Sequence, residues 1–162
     1  FDLEKLRVVN AHYLQQLDVT ALYDLIAPHI TPTSSSARDR IIAALPLLQE
    51  RAKTHLDIVP QLGYLVHDGA PEMTEEAGAL LNDDAKSNLL KLATNLTNTS
   101  WKKDDLHSHI QRFLEDNGLK MRDIGLPLRA AITGTKQSPS IVDIIAVLGE
   151  AETLARLRVA CK

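Results

Sequence analysis

The chain has 162 residues, 44% of them apolar and only 4% aromatic, with a formal net charge of −3. That apolar content can fill one sizeable core or two small packed ones and excludes wholesale disorder, and the scarcity of aromatics favours packed helices over a sandwich or barrel. The negative balance excludes a uniformly basic nucleic-acid binder, so any contact with RNA must rest on local basic clusters.

In chain order, Leu3, Leu6, Val9, Tyr13, Leu14 and Leu17 recur at helical spacing, with Asp2 as a candidate N-cap. This charged start does not read as a signal peptide, and the absence of an initial Met points to a fragment. A short helix is expected through Ala21, Leu22, Leu25 and Ile26, limited by Pro28 and Pro32, and followed by an exposed loop over Thr31–Ser36. Helix resumes near Arg38, and Pro46 is expected to kink it or start a new one. Thr54-His55-Leu56-Asp57 has the form of a capping box with Asp in the acidic position.

His67-Asp68-Gly69-Ala70-Pro71 marks the best subdomain boundary, dividing the chain into 1–70 and 71–162. Beyond it, Ala85–Asn98 reads as helix, and Thr99 or Ser100 is placed to cap the next one. That helix carries Leu106, Ile110, Phe113 and Leu114 and ends at Asn117-Gly118. A shorter helix is expected over Pro127–Thr133, stopping at Gly134. The next has two candidate starts: Ser138 as cap with Pro139 in the first turn, or Ser140 as cap with Asp143 three residues on. Ile141, Ile144, Ile145 and Leu148 continue it to Gly149, and Leu154, Leu157 and Val159 mark a last helix. The fold class is therefore all-α, in two packed subdomains.

The residues that carry chemistry are sparse. There is no Gly-rich phosphate loop, no Gly-x-Ser-x-Gly elbow and no His-Glu-x-x-His pair. The single cysteine, Cys161, can make neither an internal disulfide nor a Cys-rich zinc site, which fits a reducing compartment. His107 and His109 are two apart and should face different ways on a helix. The acidic pairs Glu75-Glu76, Asp83-Asp84 and Asp104-Asp105 read as helix-start charges that complement the dipole. Neither catalysis, nor a cofactor, nor a metal is expected of this chain. No apolar run is long enough for a membrane span.

Basic residues fall in three groups: Arg38, Arg40, Arg51 and Lys53; Lys120, Arg122, Arg129 and Lys136; and Arg156, Arg158 and Lys162. Spacing alone fits a solvated surface as well as RNA contact. RNA recognition requires unstacked bases met by Arg, backbone groups and apolar platforms, and Ser138-Pro139-Ser140 near Arg129 can supply all three.

The segment Pro127-Leu128-Arg129-Ala130-Ala131-Ile132-Thr133-Gly134, then Ser138-Pro139, then Val147-Leu148-Gly149, resembles the end of bacterial-type glutamyl-tRNA synthetases. Phe1-Asp2-Leu3-Glu4-Lys5-Leu6 with Asn10 and Tyr13, and Leu48-Gln49-Glu50-Arg51-Ala52-Lys53-Thr54, are similar to earlier parts of the same region, so the resemblance covers almost the whole chain. It implies an all-helical cage of two anticodon-binding subdomains, 1–70 and 71–162, that receives a tRNA anticodon loop. It also implies roles: Arg51 at the third anticodon base, Arg129 near the middle base, and Ser138, Pro139, Ser140 and Ile141 at the first and middle bases. The implied partners are glutamate tRNA, with glutamine tRNA as a second candidate, and the catalytic domain of the same parent chain. ATP and magnesium would belong to that parent enzyme, and the setting would be cytoplasmic. A helical protein-interaction domain without RNA function is the competing reading. An exposed apolar patch without a basic cleft would favour it.

Overall fold

A computed structural model describes residues 2–162; Phe1, which opens the first of the resembling segments, lies outside the described residues. Among the described residues the regular structure is helical throughout, with no strand. The chain divides into two compact units, the first running to Asp68 and the second spanning Gly69–Lys162.

The first unit is built from α1 (Leu3–Gln16), α2 (Val19–Ile26), α3 (Ser35–Gln49) and the single-turn α4 (Gly63–Val66), joined by 3₁₀ turns at Ala27–His29, His55–Asp57 and Val59–Leu62. Local chemistry accounts for most of the boundaries. Asp2 accepts from the backbone N–H of Glu4 and Lys5, Asp18 from Ala21, and Ser34 from Ala37, each satisfying donors that a helix start leaves open. The Thr54/Asp57 capping box forms as its spacing requires. Ser34 starts α3 three residues before the expected point, and the helix runs through Pro46 to Gln49. Pro46 lies on the exposed face, where the carbonyl deprived of its partner can turn to water. Leu22 and Ile26 meet Ile41, Leu45, Ile58, Leu62 and Leu65 in a core from which water is excluded. α1 departs from the sequence expectation: of its apolar stripe only Leu14 is buried.

The second unit contains α5 (Glu75–Gly78), α6 (Asp83–Leu96), α7 (Lys103–Asp116), α8 (Met121–Thr133), α9 (Ile141–Leu148) and α10 (Glu150–Ala160). α6, α8 and α10 pack on one another, α9 packs on α7, α8 and α10, and α5 lies on α8. Leu89, Leu92, Leu96, Leu106, Leu128, Ile132, Ile144 and Leu157 fill the interior. The three acidic pairs sit in the first turns of α5, α6 and α7, as the dipole favours. Two helix starts differ from expectation. α7 begins at Lys103 with Lys102 at the cap position, and Ser100 spends its hydroxyl on Asp105 instead. α8 begins at Met121, well before Pro127, because Asp123 accepts from the Lys120 N–H and closes a capping turn. Pro127 is then an interior, buried residue, and the apolar surface it shares with Ile124 and Leu128 offsets one missing backbone bond. No helix among the described residues is long and apolar enough to cross a membrane.

Candidate nucleic-acid interface

In the second unit, α8 carries Arg129 toward the connection that leads into α9. The Arg129 Nε–H donates to the Ser138 hydroxyl at 2.9 Å, and that hydroxyl donates to the Pro139 carbonyl at 2.8 Å. One edge of the guanidinium is thereby fixed. Its two Nη groups make no hydrogen bond or ion pair among the described residues, so a planar fork of donors remains available. Arg129, Ser138 and Pro139 are half-buried, and Ser140 is exposed.

Ser140 occupies the cap position of α9, and its carbonyl accepts from the Ile144 N–H at 3.0 Å. Its side chain makes no capping bond. Asp143 does not close a capping box either, because α7 takes it: Lys103 Nζ lies 3.1 Å from one carboxylate oxygen and His107 Nε2 3.3 Å from the other. The first-turn N–H groups of α9 consequently have no acceptor within the described chain, and they point outward at the positive end of the helix dipole.

A hollow of about 310 Å³ opens beside this helix start. Arg129, His107 and Gln111 supply its polar edge, and Met121, Ile141 and Ile110 its apolar wall. Ile141 is 2% exposed, so it presents only an edge to the hollow while its bulk belongs to the core. The arrangement pairs a charged planar donor with a small apolar recess and open backbone donors, the combination that a splayed-out base requires. Sequence reasoning placed Arg129, Ser138, Pro139, Ser140 and Ile141 in one segment, and the fold brings them to one surface. It missed Gln111 and Met121 and set His107 aside. The available signal was the i, i+4 spacing of His107 and Gln111 beside Ile110 and Leu114. His109 turns away to the Asn95 carbonyl at 3.1 Å.

Arg51 belongs to the first unit and follows Glu50, the C-cap of α3, so it stands on a turn and not in the helix. It is exposed, and no carboxylate of the described residues pairs with it. The turn is braced on both sides: Gln15 Nε2 donates to the Glu50 carbonyl at 3.1 Å, and the Asp57 carboxylate accepts from the N–H of Lys53 and Thr54 at 3.0 and 2.8 Å. The Thr54 N–H bond is the main reason why the Asp57 carboxyl titrates below its ordinary value. Other cations have structural work. Arg40 is buried against Asp68, Arg156 is fully buried, Lys136 meets Glu76 at 3.2 Å, and Arg38 lies 5.3 Å from the Tyr23 ring centroid. No group of three metal-ligating side chains gathers among the described residues.

A family model described as an anticodon binding domain matches residues 21–161. Glutamate–tRNA ligase 2 of Chelativorans sp. strain BNC1 is 33% identical over 98% of this chain and 36% of its own length. A glutamate–tRNA ligase of Rhodopseudomonas palustris strain HaA2 is 36% identical over 97% of this chain and 36% of its own. The chain thus spans about a third of the length of these relatives. Among solved structures, a glutamate tRNA ligase from Elizabethkingia meningosepticum, in complex with its amino acid, covers 99% of this chain and 32% of its own. Its TM-score is 0.82 at 23% identity, a likeness of fold.

Proposed function

The chain belongs to the anticodon-binding domain family, and on that footing we propose that it reads a tRNA anticodon loop on behalf of a glutamate–tRNA ligase. The observation that carries this reading is the Arg129 fork, held by Ser138 beside the open start of α9, inside the segment that the family match covers. Arg129 supplies planar donors to a base edge or phosphate. Ser138, Pro139 and Ser140, with the first-turn N–H groups, line the base positions, and Ile141 closes the apolar side. Arg51 reads a further base from the first unit. The two subdomains, 1–70 and 71–162, act as the two parts of one anticodon-binding region. Glutamate tRNA is the partner, with glutamine tRNA as the second candidate, and the setting is the cytoplasm.

The residues described here do not fit an ATP and magnesium site: they include neither a phosphate-cradling loop nor a ligating cluster. Glutamate activation, with ATP and magnesium, belongs to the catalytic part of the parent enzyme, and this chain binds without reacting. A helical protein-interaction role without RNA is not favoured, because the family match spans both units. The direct test is the affinity of the chain for a glutamate-tRNA anticodon stem-loop against an unrelated hairpin of equal length at one salt concentration. Preference for the cognate loop supports the proposal, and equal affinities overturn it.

Two substitutions follow. Arg129→Ala should weaken stem-loop binding by about 1–3 kcal/mol, the worth of one good Arg contact, with little change in melting temperature. The Arg129 side chain bonds only an exposed-loop hydroxyl, so a large fall in melting temperature with unchanged affinity would assign it to stability instead. Arg51→Gln should change selectivity as well as affinity. A phosphate contact weakens every RNA alike, whereas a base contact relaxes discrimination at one position, here by roughly 1–3 kcal/mol. The measurement uses two stem-loops that differ only in the third anticodon base. An affinity ratio identical for wild type and variant would show that Arg51 does not read that base.

A further inference from the structure

α1 is held to the first unit only at its C-terminal end. Leu14 is buried there, Gln49 Nε2 donates to the carbonyls of Leu14 and Leu17, and Gln15 Nε2 donates to Glu50. From Asp2 to Asn10 every residue is exposed. Leu3, Leu6, Val9 and Tyr13 are each at least 50% exposed. At 100° per residue these four fall within about one third of the helix circumference. A helix of this length is marginal in water without a packed face, and four large apolar side chains in one stripe are what a packed face needs.

The comparisons indicate which partner that face serves. The anticodon-binding match begins at residue 21, beyond the last residue of α1 at Gln16. The ligase relatives nevertheless match 97–98% of the chain, which takes in most of α1, and this is only 36% of their own length. α1 is therefore shared with whole ligases but lies outside the anticodon-binding module. Resting on the ligase reading above, we propose that the Leu3–Leu6–Val9–Tyr13 stripe docks into an apolar groove on the part of a glutamate–tRNA ligase that this chain does not span. The docking fixes the anticodon-reading units relative to the catalytic body.

The test grafts this chain into the Chelativorans ligase in place of the matching segment and follows backbone hydrogen exchange in α1. The α1 amides should exchange roughly tenfold or more slowly in the graft than in the chain alone. Leu6→Asp combined with Val9→Asp should remove that protection without altering the melting temperature of the chain alone, since both side chains are already exposed. Equal exchange in graft and free chain overturns the proposal. So does protection that grows with concentration in the free chain, which would make a second copy the occupant. Stem-loop binding by the free chain is measured alongside and should be unchanged by the double variant. If the wild-type chain fails to bind the stem-loop while α1 is still protected in the graft, the anticodon reading fails and the docking stands.

Discussion

Arg156→Ala should destabilise the second unit by about 3–5 kcal/mol, the range found when one partner of a buried charge pair is removed. The Arg156 side chain is fully buried. Its Nε–H donates to Glu152 at 2.9 Å, one turn back along α10, and its Nη1–H donates to the Ile132 carbonyl at 2.8 Å in the last turn of α8. Helix ends leave carbonyls without an acceptor's partner, and here one of them lies where water does not reach. Truncation strands that carbonyl, opens a cavity, and leaves Glu152 holding only the Gly69 N–H among its printed bonds, at 2.8 Å. Stability of this size is a large fraction of what a small domain possesses. Trp101, the single tryptophan, lies in the second unit, so urea unfolding followed by its fluorescence reports that unit directly. Arg156→Lys should recover little, because an ammonium cannot present two fixed donors in two directions. A loss below about 1 kcal/mol for Arg156→Ala would show that the interior tolerates the unpaired groups, contrary to the desolvation argument.

Arg156 also shows where sequence stops being informative. In the sequence it stands with Arg158 and Lys162 as one basic end, and nothing local separates it from Arg129. The structure gives them opposite work: Arg156 secures a helix-end carbonyl in the core, and Arg129 touches a hydroxyl and keeps two donors open. Burial of that kind depends on which helix lies opposite, here α8 against α10, and that is a tertiary fact. Features set by a few neighbouring residues were legible. The Asp2 cap, the Thr54/Asp57 box, the acidic first turns and the Gly134 stop all follow from spacing, because the bonds they make are local. Pro127 misled for the same reason: propensity places it in a first turn, while packing against the unit's interior holds it mid-helix. The α1 stripe has the right period, but periodicity identifies an apolar face and not its cover. Arg51 and the roles of the Ser138–Ile141 segment entered through resemblance. The hollow beside that segment needed α7 and α8 in place before His107, Gln111 and Met121 could be seen to meet it.

Gly134→Ala should cost roughly 2–5 kcal/mol, the sum of about 1–2 for a left-handed Ala and about 1–3 for forced overpacking. Gly134 ends α8 at φ +71°. A Cβ built there would lie 2.0 Å from the Glu72 carbonyl oxygen, and the Thr74 N–H donates to the Gly134 carbonyl at 2.9 Å. The obstacle is backbone, so no rotamer change relieves it; the 72–74 segment must move and give up its bond. Gly118 provides the control within the same unit. It has φ +63° and nothing within 4 Å of its virtual Cβ, so Gly118→Ala should cost only the conformational part. The difference between the two variants in urea unfolding isolates the close approach of residue 72. The damage should extend to recognition, because Gly134 sets the reversal that returns the chain from Arg129 to Ser138. The Thr133 hydroxyl bonds the Arg129 carbonyl at 2.8 Å and lies 3.1 Å from the Thr135 hydroxyl, so the reversal is tied to the helix end. If the chain path shifts, the 2.9 Å bond between Arg129 and Ser138 is lost and the guanidinium is no longer held at the start of α9. Folded Gly134→Ala protein should therefore bind the stem-loop more weakly, while Gly118→Ala should bind as wild type does. Equal unfolding free energies for the two variants would mean that the 72–74 segment yields without cost, and the account of Gly134 as a spacing requirement would fail.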